Sequence, residues 1–300
     1  MQGVRKRLRR RMLYTPHKEA QRTTQQMTFF QQTVKIGLVG CGCIGSQLAR
    51  QIQKDFRGRA RLIGVYDTRP SEARRLGRSL RPSVPVLPLE MLARRSDLLI
   101  EAASGKAAAD LLPLLTRHRR AALILSTGGL LSRPDRLRAL ARKGIPLYLP
   151  SGALAGLDGI KAAAAGRLRS VTLTTRKPPR SLAGAPGILR RKIRLEKLRK
   201  PTVVFQGSAR QAAKEYPQNI NVAATLALAG VGADRTRVKI IADPGIRRNI
   251  HEVEAVGDFG RLTTRTENLP SPKNSKSSLL AVQSAAATLR QILNPLKVGT

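Results

Sequence analysis

Val34-Lys35-Ile36-Gly37-Leu38-Val39-Gly40-Cys41-Gly42-Cys43-Ile44-Gly45 is the stretch from which the fold is read. A short apolar run that ends in glycines is the pattern of a strand buried in a parallel sheet. Ile44, Leu48, Ile52 and Phe56 then recur near helical spacing, and Arg61 to Tyr66 forms a second apolar run. Together they make a β-α-β unit. Gly40, Gly42 and Gly45 have the spacing GxGxxG, with Cys43 and Ile44 between the last two. The first glycine permits a tight turn, the second lets backbone approach a pyrophosphate, and the third lets helix pack closely on strand. The free N–H groups of the helix start attract the phosphates. Asp67 follows the second strand, where a carboxylate can accept hydrogen bonds from a ribose diol. The spacing alone is weak, but its place between strand and helix, with an acid at the next strand end, identifies a dinucleotide site.

Outward from this unit, strands are expected at Leu98 to Glu101, Ala122 to Leu125 and Leu147 to Leu149, with helices at Lys106 to Leu115 and Arg136 to Lys143. That alternation predicts a doubly wound parallel sheet of Rossmann type. Beyond Pro150 the texture changes to a strand at Ser170 to Thr175, a Pro/Gly-rich segment and a basic stretch from Arg190 to Lys200. A helix at Gln218 to Leu228 and strands near Val238 to Ala242, His251 to Val256 and Arg261 to Thr266 predict a second, α+β domain. The expected organisation is a basic extension over 1–32, a dinucleotide-binding domain over 33–150 and a substrate and dimerisation domain over 151–275. A C-terminal helix over 276–300 would pack back on the first domain.

Composition narrows the function classes. The chain has 300 residues, 41% hydrophobic and 25% charged, close to globular averages. Lys and Arg number 56 against 18 Asp and Glu, a formal net charge of +38, which suggests a polyanion partner. With no Trp, 4 Tyr and 5 Phe there is little to stack on bases, and the excess is spread over nearly every helix. Nucleic-acid binding on a Rossmann frame is therefore the different-class alternative, not the main reading. No apolar run approaches the ~20 residues of a membrane span. Two cysteines a residue apart make no disulfide framework, and three histidines make no zinc set, so no metal is expected and a cytoplasmic setting is. The extension, with basic residues from Arg5 to Arg11, leaves three readings open: a solvated tail or upstream start ahead of Met27, a transit peptide, or a polyanion-binding arm.

Several residues invite chemistry. Glu101-Ala102-Ala103-Ser104 and Ser126-Thr127-Gly128-Gly129 each follow a strand, either as ordinary turns or as small residues against which a nicotinamide ring can lie. The cysteines read as small side chains packed beside the cofactor, and His118 as a solvated helix end. His251 is the lone histidine of the second half; such a residue is either structural or a proton carrier that titrates near neutrality.

Read as a set, the glycine motif, Pro150-Ser151-Gly152-Ala153-Leu154-Ala155-Gly156-Leu157-Asp158, Arg176-Lys177-Pro178-Pro179, the block Pro217-Gln218-Asn219-Ile220-Asn221 through Gly230, Ala242-Asp243-Pro244, Asn249-Ile250-His251 and Asn268-Leu269-Pro270-Ser271 occur in the order seen in L-aspartate dehydrogenases. From Val34 to its end the chain resembles that family. The resemblance implies NAD- or NADP-dependent oxidation of L-aspartate to iminoaspartate, which hydrolyses to oxaloacetate and ammonia or passes to quinolinate synthesis. It also implies a homodimer, with quinolinate synthase as a possible recipient of the product. It makes His251 the active-site residue and puts Ala153, Asn219 and Asn221 at the cofactor. Lys177 and Asn249 are substrate-binding candidates. The run Pro272 to Ser278 and the N-terminal arm depart from the family pattern. Another two-domain reductase, of dihydrodipicolinate-reductase or homoserine-dehydrogenase type, would share the frame but not the Pro217 to Gly230 block.

Overall fold

The computed structural model describes residues 33–218, 220–271 and 274–299; the N-terminal extension and Asn219 lie outside the described residues. Strand β1, Val34–Val39, buries all its residues but Lys35, as a strand covered on both faces must. It is flanked by β2, Ala60–Tyr66, and β3, Leu98–Glu101, and the sheet continues through β4, Ala121–Ile124, to β5, Leu147–Tyr148. The order is β2-β1-β3-β4-β5 with every pairing parallel. Helices sit on both faces. On one, the helix Cys43–Asp55 turns Leu48, Ala49 and Ile52 inward, into a core shared with Ile36, Leu38 and Phe56. On the other, Leu111, Leu112 and Leu115 of the helix Gly105–His118 pack with Leu99, Ala122 and Ile124. This is the expected Rossmann sheet. Two helices that the sequence pattern did not reveal, Pro70–Ser79 and Leu89–Arg95, join β2 to β3. Their arginines crowd the apolar stripe until only Ala73, Leu76, Leu92 and Ala93 mark it.

The second sheet has the order β10-β9-β6-β8-β7. Its central strand β6, Leu168–Lys177, pairs antiparallel with β9, Asn249–Gly257, and parallel with β8, Arg237–Ala242. The edges are β10, Gly260–Asn268, and β7, Thr202–Ser208. Strand β7 and the helices Leu157–Ala164 and Ala209–Glu215 are further elements the pattern did not disclose. Leu173, Val253, Phe205 and Tyr216 belong to the core under this sheet, where the Tyr216 hydroxyl donates to the Val204 carbonyl at 3.0 Å.

The last helix starts at Leu279, not near Lys276. Asn274–Ser278 is extended instead, because a run of Ser, Lys and Asn offers no apolar stripe, and Ser278 caps the helix by accepting the Ala281 N–H at 3.2 Å. Val282, Ala285, Leu289 and Ile292 of this helix enter the same core as Ile36 and Leu48 of the first sheet. Among the described residues no helix is long and apolar enough to cross a membrane, and no cluster of His, Cys, Asp or Glu could hold a metal.

Candidate active site

The turn after β1 is shaped by its glycines. Gly40 has φ of +100°, and a Cβ there would come within 2.7 Å of the Ala102 backbone. A Cβ on Gly45 would run into the Gly40 carbonyl oxygen, so the helix can start this close only without one. Around Gly42 an added Cβ would meet nothing within 4 Å. The packing needs Gly40 and Gly45, whereas Gly42 faces open space where a ligand can approach. No side chain caps the helix Cys43–Asp55 at Gly42, and its first turn has no acidic residue. Its N–H groups are thus directed at whatever fills that space, and the loop fits the pyrophosphate of a dinucleotide.

Asp67 does more than end a strand. Its Oδ2 accepts the Cys41 N–H at 2.8 Å and its Oδ1 the Arg69 N–H at 2.9 Å, so it braces the glycine loop. A carboxylate has lone pairs left for a ribose. The two cysteines differ: Cys41 is buried in the core, where burial, with the Asp67 charge second, pushes its thiol up to about 12. Only Cys43, whose sulfur meets the Gln47 amide at 3.2 Å, is partly exposed. His118 is likewise not simply solvated, since its ring contacts Glu90 at 2.7 Å.

A cavity of about 1140 Å³ opens between the two sheets. Ile44, Ala103 and Ser104 line it from the first, Lys177, Asn249 and His251 from the second, and Ala153 and Asn221 lie between. Asn221 heads the helix Asn221–Ala229 and clamps the turn after β4. Its Oδ1 accepts the Gly128 N–H at 3.1 Å and its carbonyl the Thr127 hydroxyl at 2.8 Å. Ala153 is held by its carbonyl, which accepts from Thr266 at 2.9 Å and from Asn268 at 3.1 Å. Asn268 was invisible as a site residue in the sequence; the Asn268-Leu269-Pro270-Ser271 motif was the signal available.

Sheet register assembles the polar wall. Thr175 of β6 pairs with His251 of β9, and the Thr175 hydroxyl meets His251 Nδ1 at 3.1 Å behind the cavity. This partner also escaped the sequence reading. Lys177, two residues along β6, projects to the same side. It is the only lysine or arginine buried among the described residues. Burial lowers Lys177 to about 8, and burial together with the nearby Lys177 charge lowers His251 to about 3. The free protein's imidazole is therefore neutral across the physiological range, against the expectation that it titrates near pH 7. By contrast, Arg190 and Arg191 of the basic stretch turn to Glu215.

Comparison with known proteins finds a dinucleotide-binding domain in the first half and the aspartate dehydrogenase domain in the second. Residues 40–149 match the family model "Homoserine dehydrogenase, NAD binding domain", and residues 158–292 match "Aspartate dehydrogenase, C-terminal". The chain is 47% identical to the L-aspartate dehydrogenase of Methanosarcina acetivorans over 89% of its length and 100% of the relative's. It is 36% identical to L-aspartate dehydrogenase 3 of Bordetella bronchiseptica over 88% and 97%. The crystal structure of aspartate dehydrogenase from Thermotoga maritima superimposes with a TM-score of 0.66 at 27% identity, covering 89% of this chain and 99% of that one. With a pyridine-nucleotide fold in its first half and the family's own domain in its second, the chain belongs to the L-aspartate dehydrogenase family.

Proposed function

We propose that this chain oxidises L-aspartate: with NAD(P)⁺ and water it yields oxaloacetate, ammonia, NAD(P)H and a proton, through iminoaspartate. The observation that carries this reading is the buried cation Lys177 beside His251 and Asn249 on one wall of the cavity that Ile44 and Ser104 close from the cofactor side. When bound, the nicotinamide cofactor accepts the hydride from Cα. The remaining work falls to the chain. A buried ammonium favours a carboxylate partner far more than an exposed one does, because little water competes. Lys177 takes one substrate carboxylate, and Asn249 supplies an amide to orient the substrate. Burial is the main depressant of His251 and the Lys177 charge the second; the carboxylate offsets the second, so the ring's proton affinity rises once substrate is in place. His251 then carries the proton released by the substrate amine and returns it in the hydrolysis of the imine.

Asp67 favours NAD through the ribose diol. The guanidinium of Arg69, 3.8 Å from Asp67 and largely exposed, leaves room for some use of NADP. A homodimer, cytoplasmic residence and, as the alternative fate to hydrolysis, delivery of iminoaspartate to quinolinate synthase complete the proposal; the two free thiols accord with a reducing compartment. Assay of L-aspartate, homoserine and dihydrodipicolinate with each nucleotide tests it. Turnover of either rival substrate above aspartate would sink the reading.

A further inference from the structure

Glu101 closes β3 and is fully buried, an expensive place for a carboxylate unless its oxygens are satisfied. Three backbone groups satisfy them, with the Ser126 hydroxyl as a further donor. Oε1 accepts the N–H of Ala103 at 2.8 Å and of Ser104 at 3.0 Å, and Oε2 accepts the N–H of Ser126 at 3.0 Å. Burial raises the carboxyl's proton affinity and these donors oppose it. Ala103 and Ser104 belong to the loop after β3, Ser126 to the loop after β4, so one side chain ties both loops together. Ser104 is also the N-cap of the helix Gly105–His118, accepting the Ala107 N–H at 3.2 Å.

The tie lies at a crowded junction. A Cβ on Gly129 would strike the Gly105 backbone, and one on Gly40 would come within 2.8 Å of the Ala103 Cβ. The glycine loop and the loops after β3 and β4 therefore form one surface. Ala103, Ser104 and Ser126 all line the cavity, although Glu101 itself does not reach it. In an open parallel sheet the ligand crosses the strand ends. With the glycine loop at β1 and the ribose acid at β2 holding the adenosine half, the nicotinamide half falls over β3 and β4.

We propose that Glu101 is a positioning residue that holds the backbone of these two loops as the floor of the nicotinamide subsite. The proposal rests on the cofactor placement just given. Glu101→Gln keeps the size but replaces one acceptor oxygen with an NH₂ donor, so one loop loses its backbone hydrogen bond to this side chain. In the full chain, binding of NADH and of ADP, which lacks the nicotinamide riboside, is measured by calorimetry. NADH affinity is expected to fall roughly tenfold, as for one lost hydrogen bond, while ADP affinity stays unchanged. Equal losses for both ligands, or an unchanged NADH affinity, would overturn the proposal.

Amide exchange in the wild-type protein tests the tie without any variant. The N–H groups of Ala103 and Ser104 belong to exposed residues, yet they should exchange slowly along with Ser126. Fast exchange at these amides overturns the role of Glu101 alone. Slow amides that NADH protects no further than ADP does would instead overturn the cofactor placement, and the proposal with it.

Discussion

The glycine loop and the wall formed by β6 and β9 both line up to bind, and they are built in opposite ways. The loop is backbone: Gly40 to Gly45 lie within six residues, and the geometry follows from which of them can bear a Cβ. The wall is side chain: Lys177 and His251 are 74 positions apart in sequence and meet only because β6 and β9 pair with Thr175 opposite His251. A backbone site tolerates water, since its N–H groups are satisfied with or without ligand. The wall instead takes a histidine and a lysine out of water, which displaces the proton affinity of both.

Substitutions separate the two regions. His251→Ala should lower kcat roughly 10²-fold or more, the range of a lost general acid–base group, with NADH affinity nearly unchanged because the glycine loop is intact. Steady-state kinetics with a parallel NADH titration checks this, and near-normal kcat would remove His251 from the chemistry. Lys177→Ala should weaken binding of succinate, a dicarboxylate with no amine to titrate, roughly 10- to 100-fold, as for a hydrogen bond to a charged group. In the wild type the sign with pH is fixed by a lysine lowered to about 8. The cation is present below that pH and lost above it, so the succinate inhibition constant should rise through and beyond pH 8. A constant that stays flat to pH 10 would reassign Lys177 to structure.

On the loop side, Gly42→Ala should weaken NADH roughly tenfold, about 1.4 kcal/mol, at unchanged melting temperature, because its Cβ meets only open space. Gly45→Ala should lower the melting temperature as well, since its Cβ meets backbone that cannot move aside cheaply. Thermal melts of the two variants side by side decide whether these glycines divide as ligand approach and packing. The smallest effect is expected at Asp67→Ala, a few-fold loss for NAD and less for NADP, on the scale of a hydrogen bond. Equal losses for both would mean that bracing Cys41 is the residue's main role.

Much of the first sheet was legible. The run Val34 to Val39 is a strand with the expected bounds, since a strand buried on both faces must be apolar throughout. The helices Pro70–Ser79 and Leu89–Arg95 were not, because their arginines dilute the periodic stripe. Strand β7 adjoins the basic stretch and hides its alternation beside Lys and Arg. Of the site, His251 stood out as a lone histidine, while Lys177 was picked out of 56 cations only by the Arg176-Lys177-Pro178-Pro179 motif; its burial appears only in the fold.

From the sequence alone followed whatever depends on neighbours along the chain: the β-α-β frame, the glycine turn, the acid at its second strand end, and the family through its motif order. Tertiary structure alone decided what depends on register and on exclusion of water. It put Thr175 behind His251, closed Asn268 onto Ala153, bound two loops to Glu101 and drove the histidine away from neutral titration. Turn geometry is set by local dihedral sterics, which residue types report directly. Proton affinity is set by the dielectric and charge that surround a group in three dimensions, and no spacing of letters encodes these.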